Sequence, residues 1–226
     1  TTIPERAYSG SGGIGAAVAD QARDDGIHAE VAKGATLVLQ GLHRTWEPLL
    51  TFSQQLAADL GHPVQVNAYL TPPQSQGFGA HYDVHDVFVL QVEGEKRWHI
   101  HAPVHPLPLR SQPGDAYAAQ IAQAAAQEPL LDVVLRPGDC LYLPRGYLHS
   151  ATALGGVSGH LTIGVHAWTR YAVLERVLAD LQAELAQDES WRASLPLGVD
   201  FGREEAVTEV VAQARAAVDE ALAAVD

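Results

Sequence analysis

The chain has no methionine, a single cysteine and only 14 lysines and arginines among 226 residues. With one cysteine, Cys140, an internal disulfide is excluded and a reducing compartment, the cytoplasm, is expected. Flanked by Asp139 and the run Leu141-Tyr142-Leu143, Cys140 itself is expected in the core. With no methionine, the start residue is expected to be missing, and Ser9-Gly10-Ser11-Gly12-Gly13 reads equally as a mobile join or a glycine loop. No uninterrupted apolar run approaches the eighteen or so residues of a membrane span, and the N-terminus lacks the basic-then-apolar order of a secretory signal. Basic residues are outnumbered by 27 aspartates and glutamates, for a formal charge of −13. Such a surface repels phosphate backbones, so direct nucleic-acid binding is not expected, whereas a basic protein would be attracted. The length suits one core of barrel size with an appended helical piece.

Periodicity divides the chain into three segments. In residues 1–62, an N-terminal mixed segment, helical spacing is read over 14–25 and over 46–60, the second stopped by Gly61, with a strand at 36–40. Residues 63–169 hold most of the strand signals between Pro and Gly turns, interrupted by an alanine-rich helix over 115–127. Residues 170–226 are rich in alanine and leucine and predict helices over 171–187 and 204–225. The fold class is therefore mainly β with flanking helices (α+β).

Within the strand-rich segment, residues 81–83 read His-Tyr-Asp. Alternation along an extended strand puts His81 and Asp83 on one side and Tyr82 on the other. A further histidine, His149, follows in Pro144-Arg145-Gly146-Tyr147-Leu148-His149, just after a tight turn. Two imidazoles and one carboxylate on one face of an octahedron leave three positions open, the arrangement of non-haem Fe(II) oxygenases. A lone His-x-Asp triplet is a weak signal, but its context is β-rich. Asp83 to Val92 reads DVHDVFVLQV, and Glu93-Gly94-Glu95-Lys96 looks like a hairpin turn before Arg97-Trp98-His99-Ile100. His85 shares the parity of His81 and Asp83 and is expected to contact pocket or substrate rather than metal. His99, His101 and His105 read as an accessible strand end and loop. His160 and Thr162 lie in the alternating run HLTIGVHAWT, expected to be the last barrel strand.

Consecutive stretches extend the pattern well beyond three ligands: Asn67-Ala68-Tyr69-Leu70-Thr71-Pro72-Pro73, Ser75-Gln76-Gly77-Phe78, His81-Tyr82-Asp83, Phe88-Val89-Leu90-Gln91 and Glu93-Gly94-Glu95-Lys96-Arg97-Trp98. Over roughly residues 30 to 200 the chain resembles the cupin-like branch of the JmjC family, of the ribosomal oxygenase type. Gln74 departs from the small or turn-favouring residue expected in that family's loop. The resemblance implies a double-stranded β-helix (cupin or jelly-roll) barrel followed by a C-terminal helical segment that forms a homodimer. It also implies Fe(II), 2-oxoglutarate and dioxygen as reactants, with His81, Asp83 and His149 as metal ligands and catalytic centre.

Lys96, thirteen positions after Asp83, falls where the family binds the distal carboxylate of 2-oxoglutarate; read by composition alone, it is equally a solvated turn residue. Lysine there is more typical of histidyl than of arginyl hydroxylases. Asn67, Tyr69 and Thr71 alternate along a strand and either line the cosubstrate pocket or form an ordinary strand face. The activity implied is hydroxylation of a side chain in a protein substrate, a ribosomal protein in this family. A small-molecule hydroxylase and a non-catalytic metal-binding cupin are the alternatives.

Overall fold

The computed structural model describes residues 9–10, 21–195, 197–198, 202 and 204–223. Contacts divide it into two compact units, the first ending at Ala167 and the second beginning at Trp168. In chain order the first unit contains β1 (Ser9–Gly10), β2 (Gln21–Ala22), α1 (Asp24–Ala32), β3 (Leu37–Leu39), α2 (Glu47–Leu60), β4 (Val64–Thr71), β5 (Asp86–His101), α3 (Ala118–Ala125), β6 (Leu131–Leu135), β7 (Cys140–Leu143) and β8 (Leu148–Val165). The expected mainly-β architecture with flanking helices is observed, and residues 63–167 form one unit with the strands and helices that precede them.

The sheet runs β3-β4-β8-β5-β6, all neighbours antiparallel, with β7 also paired to β5. The 16-residue β5 and the 18-residue β8 pair along almost their full lengths and form its spine. Alternation produces the core: Val87, Val89, Trp98 and Ile100 of β5 bury against Leu135 of β6 and Leu143 of β7. Each such aliphatic side chain removed from water contributes roughly 1.5–3 kcal/mol. A second cluster seats α2 on the sheet through Leu49, Val66 and Ile163, and Gly61 ends that helix in the left-handed conformation, as its sequence predicts.

Glu93-Gly94-Glu95-Lys96 is not a hairpin turn. β5 continues through it, with register shifts between Gln91 and Glu93 and between Glu93 and Glu95. Gly94 sits at φ +60°, and a Cβ there would lie 2.1 Å from the Val157 carbonyl oxygen, so the glycine serves a bulge and a close strand approach. The buried Gln91 amide fills the irregularity by donating to Glu93 O at 2.7 Å and Ser158 Oγ at 2.8 Å. The consequence is functional: Lys96 lies inside a central strand, 3% exposed, instead of in a solvated turn.

Other expectations need correcting. Cys140 is exposed, because β7 is an edge strand paired only with β5, and its alternation turns Cys140 outward and Leu143 inward. Most of the helix expected over 14–25 lies outside the described residues; Gln21–Ala22 is a strand, and the helix that follows, α1, buries no residue and so carries no apolar stripe to read. The strand expected from His160 onward is the second half of the longer β8. Gln74 stands at φ +55°, in the region where a small turn residue was expected. The second unit contains α4 (Arg170–Leu185), α5 (Glu189–Arg192) and α6 (Glu204–Ala223), close to the two helices expected. Thr169 caps α4 by accepting from Ala172 N–H at 3.0 Å. Among the described residues, no helix is long and apolar enough to cross a membrane.

Candidate metal and anion site

His81 and His149 face each other across an isolated antiparallel bridge: His149 N–H donates to His81 O at 2.8 Å, and His81 N–H returns to His149 O at 3.2 Å. Directly opposed residues project their side chains to the same face, and the two rings lie 4.4 Å apart between centroids. Each imidazole is fixed by a backbone carbonyl. His81 Nδ1 contacts Gly79 O at 2.8 Å and His149 Nδ1 contacts Tyr147 O at 3.1 Å. A carbonyl only accepts, so both Nδ1 atoms carry a proton, and Nε2 is the ring atom left to ligate.

Asp83 enters from an irregular segment. The strand expected to carry both His81 and Asp83 begins only at Asp86; the Pro- and Gly-rich residues 72–79 before it keep the chain from running straight into the sheet. Tyr82 nevertheless points away, 5% exposed, with its hydroxyl donating to Gln112 O at 3.0 Å. Asp83 is held from the other side by Gly146 N–H, which donates to its carbonyl at 3.0 Å. Gly146 is at φ +90°, and a Cβ there would meet His105 O at 2.8 Å and Pro108 Cδ at 2.9 Å. The Pro-Arg-Gly turn therefore fixes Asp83 and delivers His149 two residues into β8.

One ligand atom from each of His81, Asp83 and His149 lies within 4.8 Å of the others, the group among the described residues that could hold a metal ion. Asp83 Oδ2 is 3.6 Å from His149 Nε2. Burial, reinforced by His81, lowers the His149 pKa to about 4, so its imidazole is neutral and competent to ligate at neutral pH. Two neutral imidazoles with one carboxylate suit ferrous iron and related divalent ions.

The triad opens into a cavity of about 70 Å³, partly open to solvent, whose lining includes Tyr69, Phe78, Lys96, Trp98 and His160. Lys96 Nζ donates to Thr71 Oγ1 at 2.9 Å and stands 5.9 Å from the centre of the Trp98 ring. Burial lowers the Lys96 pKa to about 8. A buried ammonium whose hydrogen-bond partner is a neutral hydroxyl calls for an anion. Tyr69 stacks on His160 with ring centroids 4.9 Å apart, and its hydroxyl pKa is raised by burial and then by Asp83.

Of the residues expected to line a pocket, Tyr69 does so directly. Thr71, fully buried, acts behind the wall by holding Lys96, and it receives a second hydrogen bond from Thr36. Asn67 stands outside the lining, its Oδ1 accepting from Gly41 N–H at 2.9 Å. His85 stacks on His166 at 4.8 Å. His99 pairs with Asp132 at 3.5 Å, His101 is buried, and His105 stacks on Tyr117. Trp98 was not anticipated, although it follows Lys96 by two residues on the same strand and therefore shares its face. Thr36 comes from the distant front end and carries no local signal.

The model of the family described as JmjC domain matches residues 44–173, which include the triad and Lys96. The chain is 42% identical over 139 residues to the bifunctional lysine-specific demethylase and histidyl-hydroxylase NO66 of Drosophila persimilis, covering 60% of this chain and 19% of that protein. It is 40% identical over 157 residues to ribosomal oxygenase 1 of Rattus norvegicus, covering 67% of this chain and 25% of that one. The chain thus spans a quarter or less of the length of these curated relatives. Among solved structures, the Escherichia coli ribosomal oxygenase YcfD in complex with cobalt and 2-oxoglutarate superposes with a TM-score of 0.53 at 19% identity, over 79% of this chain and 45% of that one. At that identity the likeness is one of fold, and it establishes the double-stranded β-helix architecture expected from the sequence. With more than half of its residues matched, the chain belongs to the JmjC domain family.

Proposed function

We propose that the chain is an Fe(II)- and 2-oxoglutarate-dependent oxygenase that hydroxylates a side chain of a basic protein, a ribosomal protein being the substrate class suggested by the names of its relatives. One observation carries the reading: two imidazoles with carbonyl-fixed Nδ1 protons and one carboxylate converge at the mouth of a cavity whose wall holds a buried lysine without a carboxylate partner. His81, Asp83 and His149 are the metal ligands, and Lys96 anchors the distal carboxylate of 2-oxoglutarate. Tyr69 walls the cosubstrate, Thr71 orients the ammonium, and Asn67 supports their strand through Gly41.

Iron bound there supplies oxygen activation coupled to decarboxylation of 2-oxoglutarate, so that one oxygen atom reaches an unactivated C–H bond. The chain contributes positioning and exclusion of water. His149, neutral through burial, ligates without first releasing a proton, and Trp98 and Tyr69 give the reacting volume aromatic walls. The −13 charge favours a basic segment over nucleic acid at the open side of the cavity. The single cysteine fits a cytoplasmic location. The division of labour is an N-terminal segment over 1–62, a catalytic barrel over 63–169 and a helical segment over 170–226 that forms a homodimer, a reading favoured by the exposed Leu174 and Leu178 on α4.

The test is succinate formation from 2-oxoglutarate by the Fe(II)-loaded protein in air, with and without peptides of the host's ribosomal proteins. Stimulated turnover and a peptide heavier by one oxygen atom are expected. Turnover that no peptide stimulates would move the substrate to a small molecule, and metal binding without any turnover would contradict the enzyme reading.

A further inference from the structure

Lys96 lies in a cavity with two other nitrogen atoms that have no partner. Trp98 Nε1 and His160 Nδ1 are both buried and have no hydrogen-bond partner among the described residues. An indole N–H can only donate and a lysine ammonium only donates, so this wall of the cavity has more donors than acceptors. His160 is 3% exposed, and leaving its ring nitrogen unsatisfied costs free energy that a ligand would recover. Its ring is fixed in place, stacked on Tyr69 at 4.9 Å with planes 5° apart and met edge-on by Trp98 at 5.5 Å. Lys96 is close enough to add to the effect of burial in keeping His160 unprotonated. A neutral imidazole carries one N–H, and beside an ammonium the favourable arrangement is for that N–H to share the ammonium's anion.

We propose that His160 is a positioning residue for the cosubstrate, its Nδ1–H donating to the carboxylate that Lys96 Nζ binds. This rests on the reading of the cavity as a 2-oxoglutarate site and adds a residue to it. Lys96 supplies charge; His160, held by its aromatic neighbours, supplies direction, so that the diacid lies along the cavity with its other end toward His81, Asp83 and His149. Each aromatic neighbour also has a defined part. Tyr69 sets the plane of the imidazole, and Trp98, whose ring is 6.1 Å from that of His149, borders both ends of the cavity.

The test is anaerobic binding of 2-oxoglutarate to the full chain loaded with Mn(II), followed by calorimetry, for the unaltered protein, His160→Phe and His160→Asn. Phenylalanine keeps the stack on Tyr69 and removes the nitrogen; asparagine places an amide N–H near the position of Nδ1. The expected result is a dissociation constant at least about tenfold higher for His160→Phe, partly restored in His160→Asn, with Mn(II) affinity the same in all three, the size following from loss of one hydrogen bond to a charged group. A second readout needs no variant: in the protein loaded with diamagnetic Zn(II), the Nδ1 resonance of ¹⁵N-labelled His160 should move on adding 2-oxoglutarate. If 2-oxoglutarate binds normally to His160→Phe and leaves that resonance unmoved, His160 is packing only and the inference falls while the site assignment stands. If the Mn(II)-loaded unaltered protein binds no 2-oxoglutarate, the assignment of the cavity falls and takes the inference with it.

Discussion

Lys96 couples the interior of the fold to pH. Burial holds its pKa near 8 instead of 10.5, so the fold disfavours the ammonium form. The sign is that of a depressed group: its favourable contribution to stability is complete above pH 10.5 and is lost as pH falls through about 8. Ligand binding runs the other way, because the cosubstrate's carboxylate wants the ammonium. The dissociation constant of 2-oxoglutarate should therefore rise as pH climbs above about 8, approaching tenfold per pH unit, and titration of binding against pH checks it. Lys96→Arg should flatten that dependence, and Lys96→Ala should raise KM for 2-oxoglutarate by roughly 10- to 100-fold, as loss of a charged hydrogen bond implies. An unchanged KM in Lys96→Ala would place the anion elsewhere. His81, Asp83 and His149 were legible in the sequence because chemistry restricts what stands at a ligand position, whereas Lys96 was legible only through the family resemblance. Their neighbours were less so: nothing in the composition of Glu93-Gly94-Glu95-Lys96 separates a turn from a bulge, and only the close approach of Val157 to Gly94 decides it.

At the scale of elements, the site depends on two short irregular pieces that hold regular strands in register. The turn at Gly146 positions Asp83 through a backbone hydrogen bond and starts the strand that carries His149. Gly146→Ala adds a Cβ at φ +90° against His105 O and Pro108, a strain of roughly 1–3 kcal/mol before any clash is relieved. A lower melting temperature together with weaker Mn(II) binding is expected, measured by calorimetry; a fall in stability with metal affinity intact would show that the turn does not position the ligands. Periodicity read helix α2 and the first half of β5, since each buries a periodic apolar face, but not the full lengths of β5 and β8: the first continues through the turn expected at 93–96, and the second is one strand where separate pieces were read. It failed at Cys140, where an edge strand has one covered side, and at α1, which buries nothing. It also suggested a strand through His81 and Asp83 where the bridge to His149 does the positioning, a contact between residues far apart in sequence that no local pattern displays.

Charge and association are properties of the whole molecule. If the substrate is the basic protein proposed, the net charge of −13 would draw it in through a field that salt screens over about 8 Å at physiological ionic strength. The KM of a peptide substrate should accordingly rise several-fold on going from low salt to about 0.5 M, whereas KM for 2-oxoglutarate, bound in a buried pocket, should change less. Equal sensitivity of the two would argue against a long-range role for the acidic surface. Sedimentation is expected to show a dimer, and replacing Leu174 and Leu178 of α4 together by Glu is expected to give a monomer; a monomeric unaltered protein would contradict the dimer. The measurement that bears most directly on the central claim is succinate production from 2-oxoglutarate by the Fe(II)-loaded chain and by Asp83→Ala, side by side in air. Iron-dependent succinate is expected from the unaltered chain, with its loss in Asp83→Ala. Substantial iron-dependent turnover surviving in Asp83→Ala would contradict the assignment of His81, Asp83 and His149 as the metal centre.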